Sequence, residues 1–189
     1  KLFLNVDGRK MIDVMVSRVH PFCSEILLSC STSDSEILYK TGISSGSPGK
    51  VDGIVTDSTP GKGPIEGLLQ GMKAASNEWV FLVGCDMPCL MESVARRIWN
   101  CRKKDSSAVV PLLNGYREPL HAFYATRCIP AVERCLSQGA RKATSFFGSI
   151  TVTEISEDCF VDIPGYERSF MNINTYDQLL GWREELRRC

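Results

Sequence analysis

The chain has 189 residues, 43% of them hydrophobic, and 22 basic side chains balance 22 acidic ones. That length supports one well-packed core, so a single domain over 1–189 is expected. Zero net charge gives no electrostatic reason for nucleic acid or an anionic membrane as partner, and no apolar run approaches the ~20 residues of a membrane span.

Leu2 to Val6 reads as a short strand followed by an Asp7-Gly8 turn. Ile12, Met15, Val16 and Val19 form one face of a helix from Met11 to His20, stopped by Pro21. Glu25 to Cys30 is a buried strand, and Ser33 or Asp34 starts a helix reaching Tyr39. Thr41 to Lys50 is rich in glycine and serine and reads as a loop. A strand ending near Asp57 leads through Gly61, Gly63 and Gly67 into a helix whose apolar face is Ile65, Leu68, Leu69, Met72 and Ala75. Val80 to Val83 is a continuous apolar run, the pattern of a parallel strand buried on both faces. Beyond it, Ser93–Asn100 and Pro130–Gln138 read as helices, and 108–113, 121–124 and 150–155 as strands. Thr175 to Gln178 has the spacing of a capping box opening a last helix. Alternating strands and helices predict a three-layer, Rossmann-like α/β fold with a mostly parallel sheet and helices on both faces. Within it, 1–105 is expected to bind nucleotide and 106–189 an acceptor.

The nine cysteines are scattered, odd in number and without a C-x-x-C pair. They read as reduced, cytosolic residues packed as small hydrophobes, and the N-terminus lacks a signal-peptide pattern. The glycine-rich turn into a helix N-terminus suits a phosphate. Asp86 follows the Val80–Val83 strand at the sheet edge where open α/β folds bind ligands. A carboxylate there is a hard oxygen ligand suited to Mg²⁺. Arg102-Lys103-Lys104-Asp105 reads as a solvated helix end, and His20 as a helix terminus.

Five segments in order carry a resemblance. They are Lys1 to Arg9, Gly63-Pro64-Ile65-Glu66-Gly67, Cys85-Asp86-Met87-Pro88, Glu118-Pro119-Leu120-His121-Ala122-Phe123-Tyr124, and Asn172-Ile173-Asn174-Thr175. Over nearly the whole chain the sequence resembles the molybdenum cofactor guanylyltransferases. The resemblance implies transfer of GMP from GTP to the terminal phosphate of molybdopterin, with Mg²⁺ held by Asp86 and a contribution from Asn174. It implies phosphate contact by Lys1 and nucleotide contact by Asp57, Gly63, Pro64 and Gly67. Ser29 stands where the family carries a nucleotide-contacting asparagine. Arg117, Pro119, His121, Asn172 and Asn174 fall on the acceptor side. Passing contacts with other cofactor-biosynthesis proteins or apo-molybdoenzymes belong to the same expectation. The family's glycine-rich opening, a buried strand followed by L-x-G-G-x-S-x-R-M-G, would precede Lys1, and the gene product is expected to carry it. A sheet without that strand exposes the edges of its neighbours. Related readings are a cytidylyl- or sugar-1-phosphate nucleotidyltransferase, or an inactive nucleotide-binding scaffold. Gly63 to Gly67 sides with the guanylyl enzymes.

Overall fold

In the computed structural model, residues 4–6, 8–40, 51–57, 61, 63–174, 178 and 181 are described. Lys1, the predicted 41–50 loop and most of the last helix lie outside them. The chain opens with a hairpin of β1 (Asn5–Val6) and β2 (Arg9–Lys10), turned at Gly8 with φ +87°. Helix α1 (Met11–Val19) buries the apolar face expected of it. Strand β3 (Leu27–Cys30), helix α2 (Thr32–Lys40) and strand β4 (Gly53–Thr56) follow, and β3 pairs with β4 in parallel. Ile12, Val16, Leu28, Cys30, Leu38 and Val51 make their core.

Helix α3 (Pro64–Ala74) leads to β5 (Trp79–Val83), and helix α4 (Glu92–Asn100) precedes β6 (Ala108–Leu113). Strands β7 (Tyr116–Arg117) and β8 (His121–Ala125), helix α5 (Ile129–Ser137) and strand β9 (Val152–Ser156) complete the second half. β5, β8, β6 and β7 lie side by side, and β9 joins β6.

Within this mixed sheet the side chains alternate between two covered faces, as the pleat requires. Ala108, Val110, Ala122 and Tyr124 pack with Leu68 and Leu69 of α3 and Val132 and Leu136 of α5. Val109 and Phe123 pack on the other face with Val94 and Ile98 of α4, Phe160 and Phe170. Helices therefore sandwich the sheet, giving the three layers expected.

One expectation about the sheet is corrected. β5 is buried from both sides, with Val80 and Leu82 toward one core and Trp79 and Phe81 toward the other. Yet its pairing is antiparallel, with β8, over five residue pairs. An apolar run reports burial on both faces, not the direction of the neighbouring strand.

Between β3 and β5 lies a cavity of about 600 Å³, lined by Leu27 and Ser29 on one side and Trp79 to Leu82 on the other. Among the described residues β3 pairs only with β4, and β5 only with β8.

Phe146 is fully buried and packs against Tyr124 and Phe147. Phe146→Ala is expected to cost about 3–5 kcal/mol. Tyr116→Ala, at a side chain 75% exposed, is expected to stay within about 0.5 kcal/mol of the parent. Urea unfolding of both variants checks the ranking.

Candidate active site

The site is assembled around the turn that follows β5. Gly84 donates its amide to the Leu120 carbonyl at 3.0 Å, and the Asp86 carbonyl accepts the Ile173 amide at 2.8 Å. These two backbone bonds draw together Cys85-Asp86-Met87-Pro88, Pro119-Leu120-His121 and Asn172-Ile173-Asn174, segments far apart in sequence. Gly84 is required by close approach, because a Cβ there would lie 2.7 Å from Asp86 Oδ1. The Asp86 carboxylate is thereby folded back over its own turn at the end of β5.

Ile173 is buried against Met11, while Asn172 and Asn174 on either side of it are exposed. Both asparagines therefore flank the residue that is tied to Asp86. The Asn174 amide donates to Gln178 Oε1 at 2.7 Å, one residue earlier than the capping-box spacing suggests. Pro119 is half-buried, and its carbonyl accepts the Tyr124 hydroxyl at 2.8 Å.

His121 is corrected from an acceptor contact to a packed residue. It is 0% exposed, wedged between the Phe81 and Phe170 rings at 5.3 and 4.4 Å. Its Nδ1 has no hydrogen-bond partner and Nε2 lies 3.5 Å from Ser169 Oγ. Burial pushes its pKa down to about 3, so the ring stays neutral. Ser169, which the sequence reading missed, is also fully buried and accepts the Met91 amide at 3.0 Å. Together the two residues support the segment between Asp86 and α4 from beneath.

Arg117 is likewise not drawn to Asp86 by any recorded contact. Its Nε donates to Glu154 Oε1 of β9 at 2.6 Å, and both side chains are exposed. This ion pair links β7 to β9, the strands on either side of β6.

On the β3–β4 side, Asp57 follows β4 and donates its amide to the Cys30 carbonyl at 3.2 Å. Burial and then the charge of Glu66 raise its carboxyl above the usual range. Glu66 is only 2% exposed in the first turn of α3 and accepts a hydrogen bond from Gln70 at 3.0 Å. The sequence reading passed over it because its neighbours were apolar, although the Glu66–Gln70 spacing is that of a helix-face pair. Gly63 is the N-cap of α3 with φ +74°, and a Cβ there would meet the Arg141 carbonyl at 2.7 Å. Pro64 takes the first helical turn, where its missing amide costs nothing. Gly67 has a packing reason of its own. A Cβ there would fall 2.8 Å from Ser29 Oγ, so Gly67 lets α3 lie close against β3. Ser29 and Gly67 both border the 600 Å³ cavity. Lys1 lies outside the described residues.

Seven described cysteines are outside any disulfide. Cys89 is disulfide-bonded, which corrects the reading of a fully reduced set. No group of three or more His, Cys, Asp or Glu side chains converges on a metal position among the described residues. The fit to Mg²⁺ rests on Asp86, since this ion commonly takes one or two carboxylates and completes its shell with water and substrate phosphates.

A glycine-led helix start beside the parallel β3–β4 pair and a carboxylate just beyond β5 are the features of a nucleotidyltransferase class of site. A model of the MobA-like NTP transferase domain matches residues 1–152, and the chain belongs to that family. It is 28% identical over 179 residues to a molybdenum cofactor guanylyltransferase of Desulfosudis oleivorans, covering 95% of this chain and 83% of the relative. It is 29% identical over 187 residues to a molybdenum cofactor guanylyltransferase of Serratia proteamaculans, covering 98% and 86%. Among solved structures, molybdopterin-guanine dinucleotide biosynthesis protein A of Archaeoglobus fulgidus superposes with a TM-score of 0.82 at 23% identity. That match covers 100% of this chain and 91% of the other. A 4-diphosphocytidyl-2C-methyl-D-erythritol synthase of Anaerococcus prevotii gives 0.72 at 17% identity, covering 99% and 93%.

Burial of neutral His121 makes stability pH-dependent. The unfolded chain protonates this ring below about pH 6.5. The native state, with its lowered pKa, does so only near pH 3. Its contribution is therefore full above pH 6.5 and is lost as pH falls, by about 2 kcal/mol on reaching pH 5. His121→Leu is expected to flatten the decline between pH 7.5 and 5 in urea unfolding. Parallel curves for parent and variant would show a solvent-reached imidazole.

Proposed function

We propose that this protein transfers GMP from GTP to the terminal phosphate of molybdopterin carrying its metal, releasing pyrophosphate. The observation that carries the reading is the convergence of three motif segments at Asp86 through the Gly84–Leu120 and Ile173–Asp86 backbone bonds. The names of the relatives supply the base and the acceptor. An oxygen of the acceptor phosphate bonds to the α-phosphorus while the bond from that phosphorus to the pyrophosphate oxygen breaks. The attacking oxygen is already anionic near neutral pH, so no side chain need remove a proton. Positioning and charge compensation then supply most of the catalysis.

Asp86 is the residue to hold Mg²⁺, with Asn174 beside it, and the ion would offset charge growing on the phosphates. The start of α3, from Gly63 to Gly67, and Asp57 lie on the nucleotide side. Asn172, Asn174 and the Pro119 segment lie on the acceptor side, with Lys1 a further phosphate contact. Arg117 would have to leave Glu154 to take part. GTP and molybdopterin are the proposed partners, with passing contacts to other cofactor-biosynthesis proteins or apo-molybdoenzymes. No helix among the described residues is long and apolar enough to cross a membrane, and a cytoplasmic setting suits such a reaction.

Base choice is tested by ligand-induced stabilisation, since a ligand bound only to the native state raises the melting temperature. GTP with Mg²⁺ is expected to raise it more than CTP, UTP or ATP, and Asp57→Ala is expected to shrink the GTP shift. A larger shift with CTP would move the assignment to the cytidylyl enzymes.

A further inference from the structure

Arg97, in the last turn of α4, holds the backbones of two cysteines that stand far apart in sequence. Its carbonyl accepts the amide of Cys101, the C-cap residue of the helix, at 3.2 Å. Its guanidinium donates to the carbonyl of Cys159, which lies in a short helical turn, Glu157–Phe160, directly after β9. The same guanidinium makes a two-pronged ion pair with Asp162, both contacts at 2.8 Å. The end of α4 is thereby clamped to residues 159–162.

The two thiols meet at this clamp. Both pack against the core that contains Val94, Ile98, Phe160 and Phe170. They share a hydrogen bond with each other, and both feel the Arg97 charge. Each is half-buried, so neither is sealed from solvent, and neither is in a disulfide. Burial and the Cys159 sulfur raise the pKa of Cys101 while Arg97 acts the other way, so Cys101 rests as a neutral thiol. Two sulfurs in contact on anchored backbones need little movement to bond.

We propose that Cys101 and Cys159 form a reversible modification site, closed by hydrogen peroxide into a disulfide and reopened by a thiol reductant. The thiolate of one cysteine attacks a peroxide oxygen. The O–O bond breaks, hydroxide leaves and takes up a proton, and a sulfenic acid remains. The second sulfur then attacks the first, the S–O bond breaks and another water departs. Two thiols and one peroxide thus give one disulfide and two waters, the sulfurs being oxidised and the peroxide oxygens reduced. The bond would tie α4, which the chain enters from the Asp86 turn, to the segment after β9.

The test treats the folded protein with hydrogen peroxide, alkylates the remaining thiols and reads a tryptic digest by mass spectrometry. Cleavage after Arg97, Arg102, Lys142 and Arg168 leaves each of the two cysteines alone on its own peptide. Peptides 98–102 and 143–168 are expected joined in the parent, separated by dithiothreitol, and never joined in Cys101→Ser or Cys159→Ser. Oxidation is also expected to raise the melting temperature of the parent by roughly 5–10 °C, as closing a long loop does. Cys101→Ser is expected to lack that rise. Recovery of both peptides alkylated and separate after peroxide would overturn the proposal. So would either cysteine carried to a sulfinic acid without a link, or joined to a third cysteine in the folded protein. The joined peptide is read in the parent itself, so the outcome does not depend on whether either variant folds.

Discussion

Two backbone hydrogen bonds at the end of β5 organise the rest of the molecule. Gly84 gives its amide to Leu120, and Asp86 receives the amide of Ile173. Neither bond depends on a side chain, so among substitutions only proline at Gly84 or Ile173 would remove a donor. What other substitutions can spoil is the room around the turn, and Gly84 provides that room by lacking a Cβ beside Asp86 Oδ1. The carboxylate, the two asparagines and the Pro119 segment then share one end of the sheet. His121, at the start of β8, is buried and neutral between the Phe81 and Phe170 rings and adds no charge to that end.

The division of labour follows from how the strands are joined. α3 starts at Gly63 on the β3–β4 side and delivers the chain into β5, whose end carries Asp86. Asp57 and Glu66 define the first side of this path, and their mutual repulsion contributes to the raised pKa of Asp57. The second side is the mixed sheet, with β8 at its centre and buried along its whole length. In the proposed reading, a nucleotide over the first side and an acceptor over the second would meet at the end of β5, where open α/β sheets bind ligands.

Much of this was legible from the residues. Alternation, helix spacing and turn residues located α1, α3, α4, β5, β6 and β8, and the apolar run of β5 rightly indicated burial on both faces. The pairing direction of β5 was not legible, since the same run serves either orientation. His121 sits in a strand whose two faces are both covered, so a packed ring is what β8 allows. The Arg117–Glu154 pair spans 37 residues of sequence, and the Gly67–Ser29 approach joins a helix to a distant strand. Such contacts involve partners distant along the chain, which local pattern does not encode. The motif content did indicate that Asp86 and the asparagines act together, although the bonds joining them are visible only in three dimensions.

The most direct measurement is pyrophosphate release from GTP in the presence of Mg²⁺ and molybdopterin, comparing the parent with Asp86→Asn. Asn keeps the size of the side chain and one oxygen but removes the charge that would hold the metal. The account predicts molybdopterin-dependent release by the parent and near-complete loss in the variant, with the same unfolding midpoint for both. A variant that turns over within a few-fold of the parent would contradict it, as would a parent that binds GTP and releases no pyrophosphate.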